Sequence, residues 1–364
     1  VSLIDEINEN KKKIASDGYP ISLGEVVNMY SDGELDIHPE FQRIFRWTSS
    51  QKSKLIESIL LGIPLPSFFV SQREDGIWDV VDGLQRLATI LSFIGVYKDE
   101  NGKQLPYLVL EKTQYLPNLG GVTWESENAL PVEVQRDFKR YKLDFKIIKK
   151  ESDNTAKYDL FQRLNTGGTS LEGQEVRDCL LIMINISAYE FIKSLAEDYD
   201  FIACTPMTDR KEGERYRHEL VLRFFIYKNL LADTERANEY SDVDSFLSAE
   251  MANIFARESQ FNYAVEALFF KEFFRKLNQS NGDQSFQSYD GRRFKGGFIL
   301  SRYEWICSFY CAMTQGVDEK IAQIVEISKR LDGISGFSDA TRHGQRSLNR
   351  TVNLIRSAKT FQSS

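Results

Sequence analysis

The strongest candidate for chemistry in the 364-residue sequence is the run Asp82-Gly83-Leu84-Gln85-Arg86, which sets a carboxylate, an amide and a guanidinium around a glycine. These residues follow the strand-like run Trp78-Asp79-Val80-Val81 and open an apolar pattern at helical spacing that lasts to Ile94 and closes at Gly95. A strand that turns directly into a helix leaves the first backbone N–H groups unpaired at the positive end of the helix dipole. A phosphate satisfies both the hydrogen bonds and the charge. Gly83 would let the backbone approach such a ligand, and Arg86 in the first turn could take phosphate oxygens in its fork. Asp82 could hold Mg²⁺ through water, and Gln85 could orient a nucleophilic water. The same residues also fit plain structure, with Asp82 as a helix N-cap, Gly83 as a turn residue and Arg86 as surface charge.

Two further segments offer related chemistry. His38-Pro39-Glu40-Phe41-Gln42-Arg43 is followed by Arg46-Trp47, so cations and an aromatic stand together and could hold a phosphate and stack a base. The alternative is a basic turn whose Trp47 packs inward before a helix cap at Thr48. Phe161-Gln162-Arg163-Leu164-Asn165-Thr166-Gly167-Gly168-Thr169 places glycines and hydroxyls after a helix-like stretch. That is a ligand-lining composition, and equally that of a linker.

The elements that must position these residues are legible in the first 165 residues. Ser22 with Glu25, and Thr48 with Gln51, have capping-box spacing. The first opens a helix through Val26, Val27 and Met29. The second opens one carrying Leu55, Ile56, Ile59 and Leu60 and stopping at Gly62 before Pro64. Phe68-Phe69-Val70 predicts a strand, Arg73-Glu74-Asp75-Gly76 a turn, and Ile77 to Val81 a second strand. Beyond a stretch rich in turn formers (101–121), a helix is predicted over Val132 to Tyr141, a strand over Phe145 to Ile148 and a helix over Tyr158 to Leu164.

From Ser170 onward the patterns are almost all helical: 172–185, 214–231, 243–257, 261–277, 298–312 and 319–330. A long polar loop is predicted over 278–297. The reading is an α/β domain over 1–165 and a mostly α-helical domain over 166–364.

Taken in order, P-x-F-Q-R-x-x-x-W, a helix ending in G-I-P-L-P, V-V-D-G-x-Q-R-L-x-T and F-x-R-L-N-T-G-G-x-x-L resemble the N-terminal domain family of GmrSD-type restriction systems. The matching residues are Pro39, Phe41-Gln42-Arg43, Trp47, Gly62 to Pro66, Asp82-Gly83, Gln85-Arg86, Thr89 and Phe161 to Gly168. The resemblance covers roughly residues 20 to 185 and implies an α/β (α+β) fold similar to ParB and sulfiredoxin. It implies NTP and Mg²⁺ binding, with Asp82, Gln85 and Arg86 catalytic at the phosphates and Asp82 on the metal. Gln42, Arg43, Trp47, Gly83, Thr89, Arg163, Asn165, Thr166 and Gly167 would contact the nucleotide. Family members act in bacterial defence against foreign DNA, so DNA and a separate nuclease or effector protein are implied partners. One position departs from the family's usual D-G-Q-Q-R: Leu84 replaces a polar side chain, which counts against hydrolysis more than against binding.

The HNH-type nuclease that fuller relatives append needs a His base and clustered metal ligands. The three histidines, His38, His218 and His343, stand far apart in sequence. His343 lies among Arg342, Arg346 and Arg350, with Arg356 and Lys359 beyond. These residues predict a basic surface for a phosphate backbone, or alternatively a solvated helix face. His218 is read as a helix-surface residue, and the aromatic runs 222–225 and 268–274 as core.

The net charge of −7 argues against a generally cationic nucleic-acid coat. Cys179, Cys204, Cys307 and Cys311 never form C-x-x-C and read as buried thiols. With no signal-peptide core and no apolar run near the ~20 residues of a membrane span, the expectation is a cytoplasmic protein with no membrane segment. A homo-oligomer stays open. The leading expectation is a nucleotide-dependent switch or NTPase, the rivals being a non-hydrolysing nucleotide-binding module and a metal-dependent nuclease.

Overall fold

Caps and turns written into the sequence set several element ends. The computed structural model describes residues 3–5, 16–37, 47–99, 102–150, 173–213, 215–256, 259–342 and 346–362. The chain divides into two units, Val1–Ser170 and Leu171–Ser364. The first is built on a mixed five-stranded sheet, and the second is mostly helical.

In the first unit, β1 (Ser16–Ser22) leads into α1 (Leu23–Ser31), whose N-cap Ser22 accepts the Glu25 N–H at 3.3 Å. After β2 (Leu35–Asp36), α2 (Ser49–Leu60) starts at a complete capping box. There Thr48 N–H donates to Gln51 Oε1 at 2.9 Å, and Gln51 N–H donates to Thr48 Oγ1 at 3.2 Å. β3 (Phe68–Gln72) and β4 (Trp78–Asp82) form a hairpin closed at Gly76, which takes φ 91°. Helix α3 (Leu84–Ile94) follows, then α4 (Val132–Arg140) and β5 (Lys142–Ile148).

The sheet order is β1-β5-β3-β4-β2. β1 pairs antiparallel with β5 and β3 antiparallel with β4, while β5–β3 and β4–β2 are parallel. β1 and the short β2 were not anticipated. β1 contains Asp, Gly and Pro, and most of its residues are exposed, so it lacks an apolar alternation.

Phe68, Val70, Phe145 and Ile147 from the sheet are buried, as are Leu87, Ile90, Leu91 and Phe93 from α3. Phe93, Trp124 and Phe138 form an aromatic cluster with ring centroids 5.5–5.7 Å apart. The irregular stretch between α3 and α4 is fastened by buried polar groups of α2. Ser53 Oγ accepts the Glu111 N–H at 2.8 Å, and Glu57 Oε1 accepts the Tyr115 and Leu116 N–H groups at 2.9 and 3.0 Å.

The second unit contains α5 (Gly173–Ile184), α6 (Ile186–Ala196), α7 (Tyr199–Cys204), α8 (Asp209–Gly213), α9 (Tyr216–Leu230), α10 (Val243–Phe255) and α11 (Tyr263–Ser280). These are followed by α12 (Leu300–Ala312), α13 (Val317–Ser328), α14 (Ser335–Ala340) and α15 (Ser347–Gln362). Its core is aromatic: Phe224, Phe225, Phe270, Phe273, Phe274 and Tyr303 are buried, whereas Leu268 of the predicted core stripe is 70% exposed. The region predicted as a plain loop holds the end of α11 and a small hairpin of β6 (Ser288–Tyr289) and β7 (Phe294–Lys295), anchored by buried Phe286.

The C-terminal helix buries one apolar face and leaves Asn349 and Lys359 exposed. Leu348, Val352, Leu354, Ile355 and Ala358 of α15 are buried. Cys204 and Cys307 are buried free thiols. No helix among the described residues is long and apolar enough to cross a membrane.

Candidate functional site

The turn at 82–86 is built by β4 running directly into α3. The helix N-cap is Gly83, not Asp82: Gly83 adopts φ 93°, ψ 10°, and has no side chain with which to cap the helix. A Cβ placed on Gly83 would lie 2.4 Å from Phe68 Cδ1 and 3.0 Å from an Arg86 Nη atom, so glycine is required by both conformation and space. The result is an α-helix whose N-terminus carries no side-chain cap, the backbone arrangement that suits an anion.

Arg86 is not surface charge. Its side chain is 12% exposed, and the guanidinium sits 4.3 Å from the centroid of the Phe68 ring. Nη1 donates to the Pro66 carbonyl, and Nη2 donates to the Ser67 carbonyl at 3.2 Å and to Asp82 Oδ2 at 3.2 Å. The fork is thus directed at the strap 66–68 and at the preceding carboxylate. Burial lowers the Arg86 pKa below the ordinary arginine value, while the Asp82 charge opposes the shift. Asp82 itself is 37% exposed and keeps an open side toward solvent.

Gln85 Oε1 accepts the backbone N–H of Trp47 at 3.4 Å, across 38 positions of sequence. That bond joins the start of α3 to the residue that ends the P-x-F-Q-R-x-x-x-W motif and immediately precedes the Thr48 cap. Leu84 is 6% exposed and belongs to the core. Thr89 is 2% exposed, and its hydroxyl has no hydrogen-bond partner among the described residues. The described structure therefore brings Trp47, Asp82, Gly83, Gln85 and Arg86 together. Gln42, Arg43, Arg163, Asn165, Thr166 and Gly167 lie outside the described residues, as do the predicted helix 158–164 and His343.

The C-terminal basic residues diverge in role. Arg342 pairs with Asp339 at 2.9 Å, Arg356 with Glu235 at 2.7 Å, and Lys359 donates to the Leu231 carbonyl at 2.6 Å. Arg346 is exposed, whereas Arg350 is half-buried against a cavity.

Nothing in the sequence reading anticipated the ionic cluster inside the second unit. Arg177, 1% exposed, donates to Gln174 Oε1 at 2.9 Å, Asp244 Oδ1 at 2.8 Å and Glu219 Oε2 at 2.9 Å. Arg223 donates to Glu219 Oε1 at 2.8 Å, Tyr227 Oη at 2.7 Å and the fully buried Glu304 at 3.1 Å. His218, expected on a helix surface, is 4% exposed, with Nδ1 2.9 Å from Asp178 Oδ2 and Nε2 3.3 Å from an Arg215 nitrogen. The signal was the spacing Arg177, Glu219, Arg223, which puts opposite charges on facing helices only once the helices pack. No group of three or more His, Cys, Asp or Glu side chains arranged to hold a metal ion occurs among the described residues.

Residues 23–182 match the family model described as GmrSD restriction endonuclease, N-terminal domain. The match includes the whole 82–86 turn and ends within α5. Neither the curated proteins nor the solved structures gave a match.

Proposed function

We propose, from the premise that residues 23–182 are a GmrSD-type N-terminal domain of a restriction-type defence system, that this domain is a nucleotide-binding switch. The observation that carries the proposal is the Gln85–Trp47 hydrogen bond. It joins Trp47, the last residue of one ordered family motif, to the start of α3, beside an N-terminus capped by a left-handed glycine. Residues of two ordered family motifs thus meet at one anion-accepting end.

Roles follow from the geometry. The α3 backbone amides and Gly83 would receive a phosphate, and the exposed side of Asp82 suits a water-bridged Mg²⁺. Arg86 is a positioning residue: it holds the strap 66–68 against the turn and orients Asp82. Gln85 Oε1 accepts from Trp47 N–H, which fixes the side chain at the start of α3 and leaves its second lone pair for a water. The buried Leu84, which puts no polar group at its position, favours a module that holds nucleotide over one that hydrolyses it. The ParB/sulfiredoxin likeness, a role for Thr89, and coupling to DNA or a separate effector belong to the same proposal.

The test is titration calorimetry with each NTP, with and without Mg²⁺, beside measurement of phosphate release. Arg86→Ala is a poor probe, because it also removes three hydrogen bonds that shape the turn. Asp82→Asn is better: it should abolish the Mg²⁺-dependent gain in affinity and leave metal-free binding within about threefold. No binding of any NTP by the folded wild type would refute the reading, and release of phosphate that Asp82→Asn abolishes would restore the NTPase.

A further inference from the structure

A cavity of about 460 Å³ opens in the first unit between α1, β1, the β3–β4 turn and the start of β4, within the size range of ordinary ligand sites. Tyr19 of β1 and Trp78 of β4 line it together, their rings edge to face with centroids 6.3 Å apart. The two strands are not neighbours in the sheet, so these rings meet across β5 and β3. Trp78 also lies 6.3 Å from the buried ring of Phe145 in β5. Unlike Phe145, both lining rings keep open surface: Tyr19 is 47% exposed and Trp78 is half-buried.

The charge around the cavity is of one sign. Glu25 of α1, Glu34 just ahead of β2 and Asp75 of the turn supply carboxylates, and no lysine, arginine or histidine is among the lining residues. All three acids are exposed, and none forms an ion pair among the described residues. The cations on the neighbouring strands are taken by other acids, Arg73 by Asp36 and Asp79, Lys146 by Asp144, and Lys149 by Asp17. Glu25 Oε2 accepts from Asn28 Nδ2 at a long 3.5 Å, and Asp75 Oδ1 accepts the Ile77 N–H at 3.1 Å. The remaining carboxylate oxygens are open to a ligand.

The kind of cation follows from what separates the acids. No three acids among the described residues are arranged to hold a metal ion. Between them lies apolar surface, with Met29 and Ile77 beside the two rings. A hard divalent ion gains nothing from such a surface, because it seeks six or more oxygen ligands. An organic cation gains twice: its alkyl part covers apolar side chains, and its charge meets both carboxylates and ring faces. An anion would be repelled, and an uncharged apolar ligand would desolvate the carboxylates with no return.

We infer that this cavity is a binding site for an organic cation, an ammonium or guanidinium group carried on an alkyl chain, held by the Trp78 and Tyr19 rings and by the surrounding carboxylates. Free amines and the basic side chains of a protein share that chemistry. Trp78 opens β4 and Asp82 ends it, roughly 13 Å apart along the strand, so the site is distinct from the 82–86 turn and does not depend on the nucleotide reading.

Calorimetric titration of the full chain with choline, cadaverine and agmatine tests this, beside N-acetyl-arginine amide and the uncharged tert-butyl analogue of choline. At least one cation should bind saturably, and the uncharged analogue should bind tenfold or more weakly than choline. Glu25→Gln combined with Glu34→Gln should weaken cation binding tenfold or more. Tyr19→Leu should weaken it threefold or more, and Tyr19→Phe should retain it by keeping the ring face. Glu127→Gln, an exposed acid outside the lining, should change nothing, which separates the site from general attraction to a chain of net charge −7. Blocked arginine binding tenfold more tightly than agmatine makes the ligand a protein side chain; the reverse order makes it a free amine. Three outcomes overturn the inference: no cation saturates the protein, the uncharged analogue binds as well as choline, or the folded double variant keeps wild-type affinity. Displacement of the organic cation by Mg²⁺, where NaCl of equal ionic strength leaves it bound, would make the acids a metal site and refute it equally.

Discussion

Gly83→Ala should destabilise the first unit by about 2–5 kcal/mol, and the amount can be assembled from two separable causes. The backbone at φ 93° lies in the left-handed region, where an L-side chain costs roughly 1–2 kcal/mol. The new methyl would lie 2.4 and 2.9 Å from two atoms of the Phe68 ring, a fully buried side chain that cannot swing into solvent. Forcing extra volume into a packed core costs typically 1–3 kcal/mol. The two contributions separate in a double-mutant cycle. Phe68→Ala alone should cost about 3–5 kcal/mol, and Gly83→Ala in that background only the backbone part, about 1–2 kcal/mol. Urea unfolding followed by tryptophan fluorescence is suited to this, since Trp47, Trp78 and Trp124 lie in the first unit and only Trp305 in the second. If the two substitutions add within about 0.5 kcal/mol, the clash with Phe68 is not the reason for glycine at this position, and the tight cradle drawn from it fails.

Other consequences are equally direct. Arg86→Ala should lower stability by about 2–4 kcal/mol, and Arg86→Lys should recover less than half of it, because a lysine cannot serve the Pro66 and Ser67 carbonyls and Asp82 at once; thermal unfolding checks both. Glu304→Ala should cost about 3–5 kcal/mol, because it leaves buried Arg223 with Glu219 as its one carboxylate partner and takes the acceptor from the Tyr227 and Thr351 hydroxyls, read as early loss of Trp305 signal in urea. Burial raises the Cys204 and Cys311 thiols from near 9 to about 12, so the folded state holds those protons more tightly. The stabilisation they contribute is complete below pH 9 and is lost as pH climbs toward 12. A urea midpoint that rises across that window would contradict it. Cys204 should also resist thiol reagents at pH 8 in the folded protein and react fully once unfolded, as a dithiobis-nitrobenzoate assay reports.

What the sequence by itself determined was local. The capping residues Ser22 and Thr48, the helix-ending Gly95, the β3–β4 turn and the 84–94 apolar stripe each act over a few residues, and they stand where spacing put them. The family motifs were legible for the same reason, as short ordered strings. Tertiary structure decided what the charged residues do. Arg86 in the first turn of a helix reads as a phosphate fork or a surface cation, and only the return of strap 66–68 over Phe68 makes it a buried brace. Gln85 acquires its partner from Trp47, 38 positions away. His218, Arg177, Glu219 and Arg223 look like helix-surface charges in sequence because hydropathy counts each one singly. Packing of α5, α9, α10 and α12 pairs them, and pairing is what makes burial of a charge tolerable. Arg350 is the converse: predicted as one of a basic row, it is separated from that row by the pairing of its neighbours and is left facing a cavity of its own.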